Sequence, residues 1–185
     1  TNMSNYNYRV VMVSANNICD TVFSSSENFT VLPFLPFECS ENIAYQFVNG
    51  ELRPFDVTTG TYGADILQPI GGNPDPFIDL NAAAYNDVDN FVYAFVRTSN
   101  QSGYNVGHLL RISSNGYVQD LGTAGVNFSA GDFINDEMWV GWPLSKIENV
   151  SSLTADPTRV ISRTNFGNPT GTNFFDHSII VKDGM

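Results

Sequence analysis

The sequence has few basic residues. Its 185 residues include 8 Lys and Arg against 19 Asp and Glu, which gives a formal net charge of -11 at pH 7. A phosphate-binding surface needs clustered Lys and Arg, whereas the basic residues here are scattered singly. The charge balance therefore makes binding to nucleic acid or to an anionic membrane unfavourable.

Long apolar runs and catalytic signatures are also missing. No window approaches 18 consecutive apolar residues, so no membrane span is predicted. The first residues do not resemble a signal peptide, so if the protein is secreted we expect that its signal peptide has already been removed. The sequence contains no G-x-S-x-G, no phosphate-binding glycine loop and no H-E-x-x-H motif. Each of the two histidines, His108 and His177, lies in a predicted strand and is better explained as a packed or hydrogen-bonded residue than as a zinc ligand or a catalytic base. We therefore predict no catalytic residue, no metal and no cofactor.

Acidic residues leave two alternatives open. Asp132, Asp136 and Glu137 flank one predicted hairpin, and Asp87 and Asp89 flank the preceding one. A glycoside hydrolase needs two carboxylates roughly 5 to 9 Å apart, and calcium takes about six to eight oxygen ligands. Asp is also an ordinary turn residue. Turn chemistry is the favoured interpretation, so the enzyme and the calcium site rank below a non-enzymatic protein.

The two cysteines and several glycan acceptor triplets bear on whether the protein is secreted or cytosolic. Cys19 and Cys39 are the two cysteines, 20 residues apart, and a disulfide between them would add roughly 3 kcal/mol of stability in the chain-entropy model. Free thiols of a cytosolic protein are the alternative. Acceptor triplets for N-linked glycans, which a chain rich in Asn, Ser and Thr also produces by chance, start at Asn2, Asn28, Asn100, Asn127 and Asn149. Together these features predict a secreted, disulfide-bonded glycoprotein.

Aromatic and β-branched residues are plentiful, and they form a recurring pattern. The stretch 80–122 predicts strands at 82–85, 91–96, 108–113 and 117–121. The pair Asn115-Gly116 is expected to supply the positive φ angles of a tight hairpin. Four strands in about forty residues match the size of a β-propeller blade.

The pattern recurs on both sides of this stretch. Strands are predicted upstream at 42–47, 51–57 and 64–70, and downstream at 128–134, 137–142, 159–163 and 175–181. Residues 144–153 are the one helix candidate, with an irregular loop as the alternative. We predict an all-β fold of four-stranded propeller-type blades, with an extended or strand-forming lead-in at 1–37 and repeats at 38–79, 80–127, 128–174 and, in part, 175–185. Propellers have four to eight blades, so the ring is incomplete or belongs to a larger or assembled propeller.

Several motifs resemble a known family. NIAYQFVNGELRPFDVTTG, LNAAAYNDVDNFVYAFV, HLLRISSNGYVQDLG and FSAGDFINDEMWVG are similar to secreted, largely uncharacterised β-propeller-like repeat domains. The resemblance covers roughly residues 38–142. It implies an extracellular or cell-surface role and no known catalytic set.

The expected function follows from these features. We predict a non-enzymatic extracellular glycoprotein module that serves as a structural or adhesive component of a cell-surface or filamentous assembly, with copies of itself or other extracellular proteins as partners. The alternative is a carbohydrate-binding, lectin-like propeller, with Trp139, Trp142 and Tyr104 as candidate sugar-binding residues. Packing in the core is the other explanation for these rings. A glycan-active hydrolase ranks last.

Overall fold

The fold is all-β, as predicted. The computed structural model describes residues 4–8, 11–12, 22–23, 27–31, 34–38, 42–48, 51–66, 78–99, 104–141 and 143–167. Within these residues antiparallel strands dominate, and the helical content is a single 3₁₀ turn, Val150–Ser152. No helix in the described part of the chain is long and apolar enough to cross a membrane. The chain divides into two compact units, Thr1–Phe34 and Leu35–Met185.

The first unit contains two short antiparallel pairs. One pair joins the first and last of its strands and the other joins the two between them, the strands being β1 (Ser4–Tyr8), β2 (Val11–Met12), β3 (Val22–Phe23) and β4 (Glu27–Val31). The described part of the predicted lead-in at 1–37 thus contains strands, and residues 34–38 lie outside any strand.

Sheet A begins the second unit. It has the order β5-β6-β7, with β5 at Ile43–Val48, β6 at Glu51–Asp56 and β7 at Thr61–Tyr62. The first two strands match their predictions. The third strand was placed too late, because residues 63–66 are not in a strand. The chain turns back early, since the Asp56 carboxylate accepts hydrogen bonds from the backbone N–H groups of Thr58 and Thr59 and Gly60 takes a positive φ of 70°.

Sheet B confirms the predicted four-stranded unit. Its strands follow each other as an antiparallel meander: β8 (Ile78–Asn86), β9 (Phe91–Ser99), β10 (His108–Ile112) and β11 (Val118–Thr123). The last hairpin differs from the expected tight turn. Gly116 alone has a positive φ there, and Ser113 pairs with Tyr117 across the loop. Three residues therefore form the turn, with glycine at the left-handed position.

Both faces of sheet B are buried. Val92, Ala94 and Val96 on β9 belong to an apolar cluster shared with sheet A. The alternate residues Tyr93 and Phe95 belong to a second cluster shared with sheet C, which follows in the chain. Alternation along a strand sends successive side chains to opposite faces. Sheet B is therefore the middle layer between two other sheets.

Sheet C has four strands in the order in which they occur in the chain: β12 (Ala130–Ile134), β13 (Glu137–Gly141), β14 (Leu144–Ile147) and β15 (Thr164–Gly167). The helix candidate at 144–153 is wrong over its first half, where β14 pairs with β13. In this strand Ser145 and Ile147 point into the core, so the apolar residues Leu144 and Ile147 lie on opposite faces rather than on one face of a helix. Only the 3₁₀ turn at its end is helical.

The strand predicted at 159–163 joins a different sheet from the one expected. Val160 forms a parallel bridge with Thr123. The Thr123 N–H donates to the carbonyl oxygen of Arg159 at 2.9 Å, and the Ile161 N–H donates back to the Thr123 oxygen at 2.7 Å. This segment therefore extends the outer edge of sheet B and ties the loop of sheet C to its neighbour. Residues 175–185, the predicted partial repeat, lie outside the described residues, and the repeat boundaries stay a prediction.

Candidate functional site

The first strands of sheets B and C pack tightly against each other. A Cβ atom on Gly131 would lie 2.5 Å from the carbonyl oxygen of Ala82, a distance that real Cβ atoms do not reach, so the site requires glycine. Ala82 itself has a φ of 50°, which is unusual for a residue other than glycine. The pairing of β8 with β9 is interrupted by a bulge between Asn81 and Ala84. Strained backbone of this kind often marks a functional site.

A groove with a cavity volume of about 580 Å³ lies at this contact. Small residues form much of its wall, and polar side chains add hydrogen-bonding groups; its lining consists of Asn81, Ala82, Ala83, Arg97, Asn127, Phe128, Ser129, Ala130 and Gly131. The volume falls in the range of small-molecule sites, roughly 300 to 1,000 Å³. This groove is the strongest candidate for a binding site.

Arg97 is the one charged residue among the described residues that line the groove. Its side chain is 56% exposed and lies 3.5 Å from the Oδ2 atom of Asp79, which is 50% exposed. The Nδ2 atom of Asn127 donates a hydrogen bond to the Arg97 carbonyl oxygen at 3.1 Å. This bond joins the end of β9 to the segment that enters β12, so it fixes one side of the groove.

A second cavity, of about 330 Å³, lies between sheets A and B. Its wall is largely apolar and aromatic, with contributions from Tyr45, Phe47 and Val92. Phe37 is buried beside it and packs edge-on against Tyr45 with ring centroids 4.6 Å apart. Its backbone N–H donates to the Asn90 oxygen at 2.7 Å. This cavity belongs to the core between two sheets rather than to a polar site.

Arg111 forms a buried polar link between sheets B and C. Its Nε atom donates to the Tyr93 hydroxyl at 2.8 Å, and its Nη2 atom donates to the carbonyl oxygens of Ser151 at 3.0 Å and Leu153 at 2.6 Å. The Tyr93 hydroxyl donates in turn to the Asp89 carboxylate. Burial, followed by this hydrogen bond, raises the pKa of the Tyr93 phenol. Asp89 therefore serves the packing of the two sheets.

Asp136 forms a second polar link. It lies in a two-residue hairpin with Asn135, and both residues have positive φ angles of 64° and 50°, as a type I′ turn requires. Its carboxylate accepts hydrogen bonds from Asn86 Nδ2 at 2.7 Å, from the Ser151 N–H at 2.8 Å and from the Ser151 hydroxyl at 2.7 Å. The carboxylate connects sheet B, the hairpin and the 3₁₀ turn of sheet C.

Two more of the acidic residues, Asp132 and Glu137, have structural partners. Asp132 accepts a hydrogen bond from the Phe133 N–H at 2.9 Å, and Glu137 lies 2.8 Å from Lys146 Nζ. The part of the chain that the structure describes holds no group of three or more His, Cys, Asp or Glu side chains placed to bind a metal ion. The predictions that the protein is not an enzyme and binds no metal stay predictions.

His108 is a buried, hydrogen-bonded residue. Its Nδ1 atom lies 2.9 Å from the Oδ2 atom of Asp120, whose Oδ1 atom also accepts the Gly122 N–H at 2.9 Å. This arrangement anchors the start of β10 to β11. His177 lies outside the described residues.

The predicted glycosylation and disulfide residues are described in part. Asn127 is exposed beside the groove, and Asn149 is exposed at a left-handed position with a φ of 53° just before the 3₁₀ turn. Asn28 lies in β4. The remaining predicted residues fall outside the described part of the chain: Asn2, Asn100, Cys19 and Cys39. Glycosylation and the disulfide therefore stay predictions.

The two candidate sugar-binding aromatics that the structure describes, Trp139 and Tyr104, are not among the residues that line the groove. Trp139 stacks on Phe166 with ring centroids 5.4 Å apart, and Lys146 Nζ lies 5.8 Å from the Trp139 ring. Tyr104 packs against the cluster between sheets A and B, and burial, followed by the Asp120 charge, raises its pKa. Trp142 lies outside the described residues. A sugar-binding role for these residues stays a prediction.

The polar residues of the groove were not predicted from the sequence as binding residues. Asn81, Arg97 and Ser129 carry no motif, and Asn127 was noted only as a glycan acceptor. The signal that could have found the groove is the run of small residues in β8 together with Gly131, since glycine inside a strand marks close approach of another backbone. The packing of β8 against β12, which belong to different sheets, brings these segments together.

Comparisons with known proteins place the chain in a family. Neither the curated proteins nor the solved structures give a match. A family model described as a repeat of unknown function, DUF6923, matches residues 45–168. That range runs from within β5 to just past β15, so it takes in nearly all of sheets A, B and C. Because the match covers more than half of the sequence, the chain belongs to the DUF6923 family of repeats of unknown function.

Proposed function

We propose that sheets A, B and C are three successive blades of a propeller-type repeat array, and that the protein is a non-enzymatic structural or adhesive module of an extracellular assembly. The observation that carries the proposal is the burial of sheet B on both faces by sheets built on the same pattern. A blade reaches that state only between two neighbours, so the outermost blades need further partners.

The outer face of sheet C supports the need for another blade. In sheet B, Tyr93 on β9 lies opposite Arg111 on β10, on the face that carries sheet C. In sheet C, Trp139 on β13 lies opposite Lys146 on β14, and the neighbouring Val140 points the other way, into the cluster with sheet B. The same aromatic and cationic pair therefore recurs one sheet further on, facing away from sheet B.

The occupant of that face would be a further blade, supplied by more of the same polypeptide or by another copy. Exposed strand edges and apolar faces favour such association. Sedimentation velocity of the 185-residue chain over a wide concentration range tests the assembly role. We expect the chain to associate and the Phe166→Glu variant to associate more weakly. Val88→Glu is the control, because Val88 is an equally exposed apolar residue in a turn of sheet B, and it should leave association unchanged. A monodisperse monomer at high concentration contradicts the role.

The extracellular location is proposed from the cysteines and the glycan acceptor triplets. Asn127 and Asn149 are exposed acceptors. The Nδ2 atom of Asn127 already donates a hydrogen bond to the Arg97 carbonyl oxygen, so Asn149 is the acceptor that the structure favours for modification in a secretory pathway. Expression through a secretory host, followed by intact mass measurement before and after enzymatic removal of N-glycans, tests this. We expect Asn149 to carry a glycan, and an unmodified secreted chain would count against the location.

A carbohydrate-binding function is the second candidate. The observation that favours it is the polar groove between β8 and β12, whose amide and hydroxyl side chains suit the hydroxyls of a sugar. Titration of the labelled protein with a panel of methyl glycosides, followed by amide chemical shifts, tests it. Saturable shifts confined to the groove support the function, and no shift with any glycoside contradicts it.

A further inference from the structure

We propose that the groove between β8 and β12 binds a carboxylated sugar unit, such as a uronic acid or a sialic acid, and that Arg97 pairs with its carboxylate. This inference rests on the second proposed function, carbohydrate binding, and adds the chemical class of the ligand. It does not depend on the assembly role.

The shape of the groove suits a ring rather than a flat surface contact. Ala82, Ala83, Ala130 and Gly131 carry side chains no larger than a methyl group, and the cavity measures about 580 Å³. The backbones of the first strands are in contact at Gly131, so the wall that they form cannot close further. A wall that is already rigid lowers the entropic cost of binding.

The neutral polar groups give the groove its affinity for hydroxyls. Asn81 and Asn127 each carry an amide with donors and an acceptor, and Ser129 carries a hydroxyl that serves as either. The Nδ2 bond from Asn127 to the Arg97 carbonyl and the bond from the Ala82 N–H to Asn81 Oδ1 hold both amides in place. Orientation fixed in this way presents adjacent polar atoms to adjacent hydroxyls of one sugar ring.

Aromatic stacking contributes little. Phe128 is 1% exposed, because its ring packs against Phe95 with centroids 4.9 Å apart and against Arg163 at 5.8 Å. No other aromatic residue is among the described residues that line the groove. We therefore expect a dissociation constant on the order of 1 mM, which corresponds to a small binding free energy.

Charge selects the ligand. The chain carries a formal net charge of -11, yet no described residue that lines the groove has a carboxylate, and Arg97 supplies a guanidinium. Its ion pair with Asp79 is long, at 3.5 Å, and half exposed, so it contributes little. A ligand carboxylate can accept two parallel hydrogen bonds from a guanidinium. The preference over a neutral sugar should be about tenfold at low ionic strength, within the range of charge-assisted hydrogen bonds, and should shrink as salt screens the charges.

The test is a titration of the ¹⁵N-labelled chain at low ionic strength with four probes. These are methyl β-glucuronide, the methyl glycoside of N-acetylneuraminic acid, methyl β-glucoside and sodium acetate. We expect amide shifts at residues 81–83 and 127–131, with at least one of the two acidic sugars binding about tenfold more tightly than the glucoside and the acetate. The comparison between the two acidic sugars separates a uronic acid from a sialic acid.

Variants locate the charge. Arg97→Gln should lower the affinity for the acidic sugar to that for the glucoside, and Ala83→Glu, which adds a carboxylate at an exposed lining position, should do the same. Asp79→Asn should increase the affinity only about twofold, because the long, exposed ion pair restrains Arg97 weakly. Arg159→Gln is the matched control, since this arginine bonds Thr154 at the outer edge of sheet B and should leave binding unchanged.

Two results overturn the inference in distinguishable ways. If the acidic sugars and the glucoside shift the groove with equal affinity and Arg97→Gln changes nothing, the carboxylate preference is wrong and carbohydrate binding stands. If no sugar shifts the amide resonances of residues 81–83 and 127–131, the carboxylate preference and the carbohydrate-binding function are both wrong. Acetate binding as tight as the acidic sugar would also overturn it, because the groove would then recognise an anion and not a sugar.

Discussion

The two sides of sheet B are packed by different means. Toward sheet C, the first strands meet at Gly131 and Ala82, and the buried guanidinium of Arg111 bonds the carbonyls of the neighbouring loop. Toward sheet A, a cavity of about 330 Å³ remains, and Phe37 from the segment before the sheet fills the space next to it.

The difference shows what decides how closely two sheets of one repeat can pack. Gly131 removes a side chain at the point of contact, so the strand backbones touch. In sheet A the corresponding first strand presents Tyr45 and Phe47 toward sheet B, and rings of that size hold backbones apart. One interface therefore depends on polar bonds between close backbones, and the other depends on apolar filling.

The largest effect is expected from the buried cation. Arg111→Ala leaves the carbonyls of Ser151 and Leu153 and the Tyr93 hydroxyl without their donor, so the free energy of unfolding should fall by about 4 kcal/mol. Urea denaturation measures it. Arg53→Ala is the control in sheet A, where the side chain is 31% exposed, and should cost about 1 kcal/mol or less. Equal losses for the two arginines would remove the distinction between the interfaces.

The contact between sheets A and B should lose stability when the buried Phe37 ring is removed. Phe37→Ala removes a buried ring between sheets A and B and should lower the free energy of unfolding by about 3 kcal/mol, toward the low end for such changes because a cavity is already present nearby. Phe166→Ala, at a position 53% exposed, is the control and should cost well below this. Thermal and urea unfolding of both variants measure the difference. A Phe37→Ala variant as stable as the parent would contradict the role of this ring.

Close approach of the first strands predicts a steric effect. Gly131→Ala places a methyl group against the Ala82 carbonyl and should cost about 2 kcal/mol through overpacking. Gly60→Ala tests backbone conformation alone, since Gly60 has a positive φ and open space around it, and should cost about 1 kcal/mol. The two variants are compared by their urea midpoints. If Gly131→Ala is no worse than Gly60→Ala, the sheets are not in contact at this point.

Ionisation of Tyr93 should destabilise the contact between sheets B and C at alkaline pH. Burial raises the pKa of this phenol in the folded state, while in the unfolded chain it ionises near pH 10. The neutral Tyr93 phenol therefore makes its full contribution to the free energy of unfolding below pH 10. Above pH 10 that free energy falls by about 1.4 kcal/mol per pH unit. Urea unfolding between pH 9 and 11 should show this slope, and Tyr93→Phe should remove its contribution. An unchanged slope in Tyr93→Phe would show that other groups cause it.

The smallest effect concerns the strained alanine in the groove wall. Ala82 has a φ of 50°, so Ala82→Gly relieves the strain at the expense of a more flexible unfolded chain. We expect a net change within about 1 kcal/mol, in the direction of higher stability, measured by urea unfolding. Ala83→Gly serves as the control and should be destabilising. A clear loss in Ala82→Gly would mean that the alanine methyl, buried in the cluster with sheet C, contributes more than the strain costs.

Strand positions could be predicted from the sequence where alternation and turn residues agree. The run from Phe91 to Val96 and the pair Asn135-Asp136 mark a strand and a hairpin that the structure contains. The segment 159–163 was predicted as a strand but assigned to the wrong sheet, because a short β-branched run does not specify which strand it will pair with. Its hydrogen bonds with Thr123 depend on Gly122, where a Cβ atom would lie 2.4 Å from the Arg159 oxygen.

The groove could not be predicted, because its residues are far apart in the sequence. Asn81, Arg97 and Asn127 come together only through the strand order and the contact of β8 with β12. The expected aromatic residues pack elsewhere, since Trp139 stacks on Phe166 on the outer face of sheet C. Composition predicts that such rings will be numerous, and topology decides where they lie.

We propose that the three sheets fan out from neighbouring first strands, as the blades of a propeller do. Pulsed dipolar spectroscopy tests it most directly, with spin labels on introduced non-natural residues so that both cysteines stay untouched. One label pair replaces Ala83, in the first strand of sheet B, and Asn127, just before the first strand of sheet C. The other pair replaces Tyr117, just before the last strand of sheet B, and Asn165, in the last strand of sheet C. Blades predict a clearly longer distance for the outer pair. Equal distances, as in parallel layers, would contradict the account.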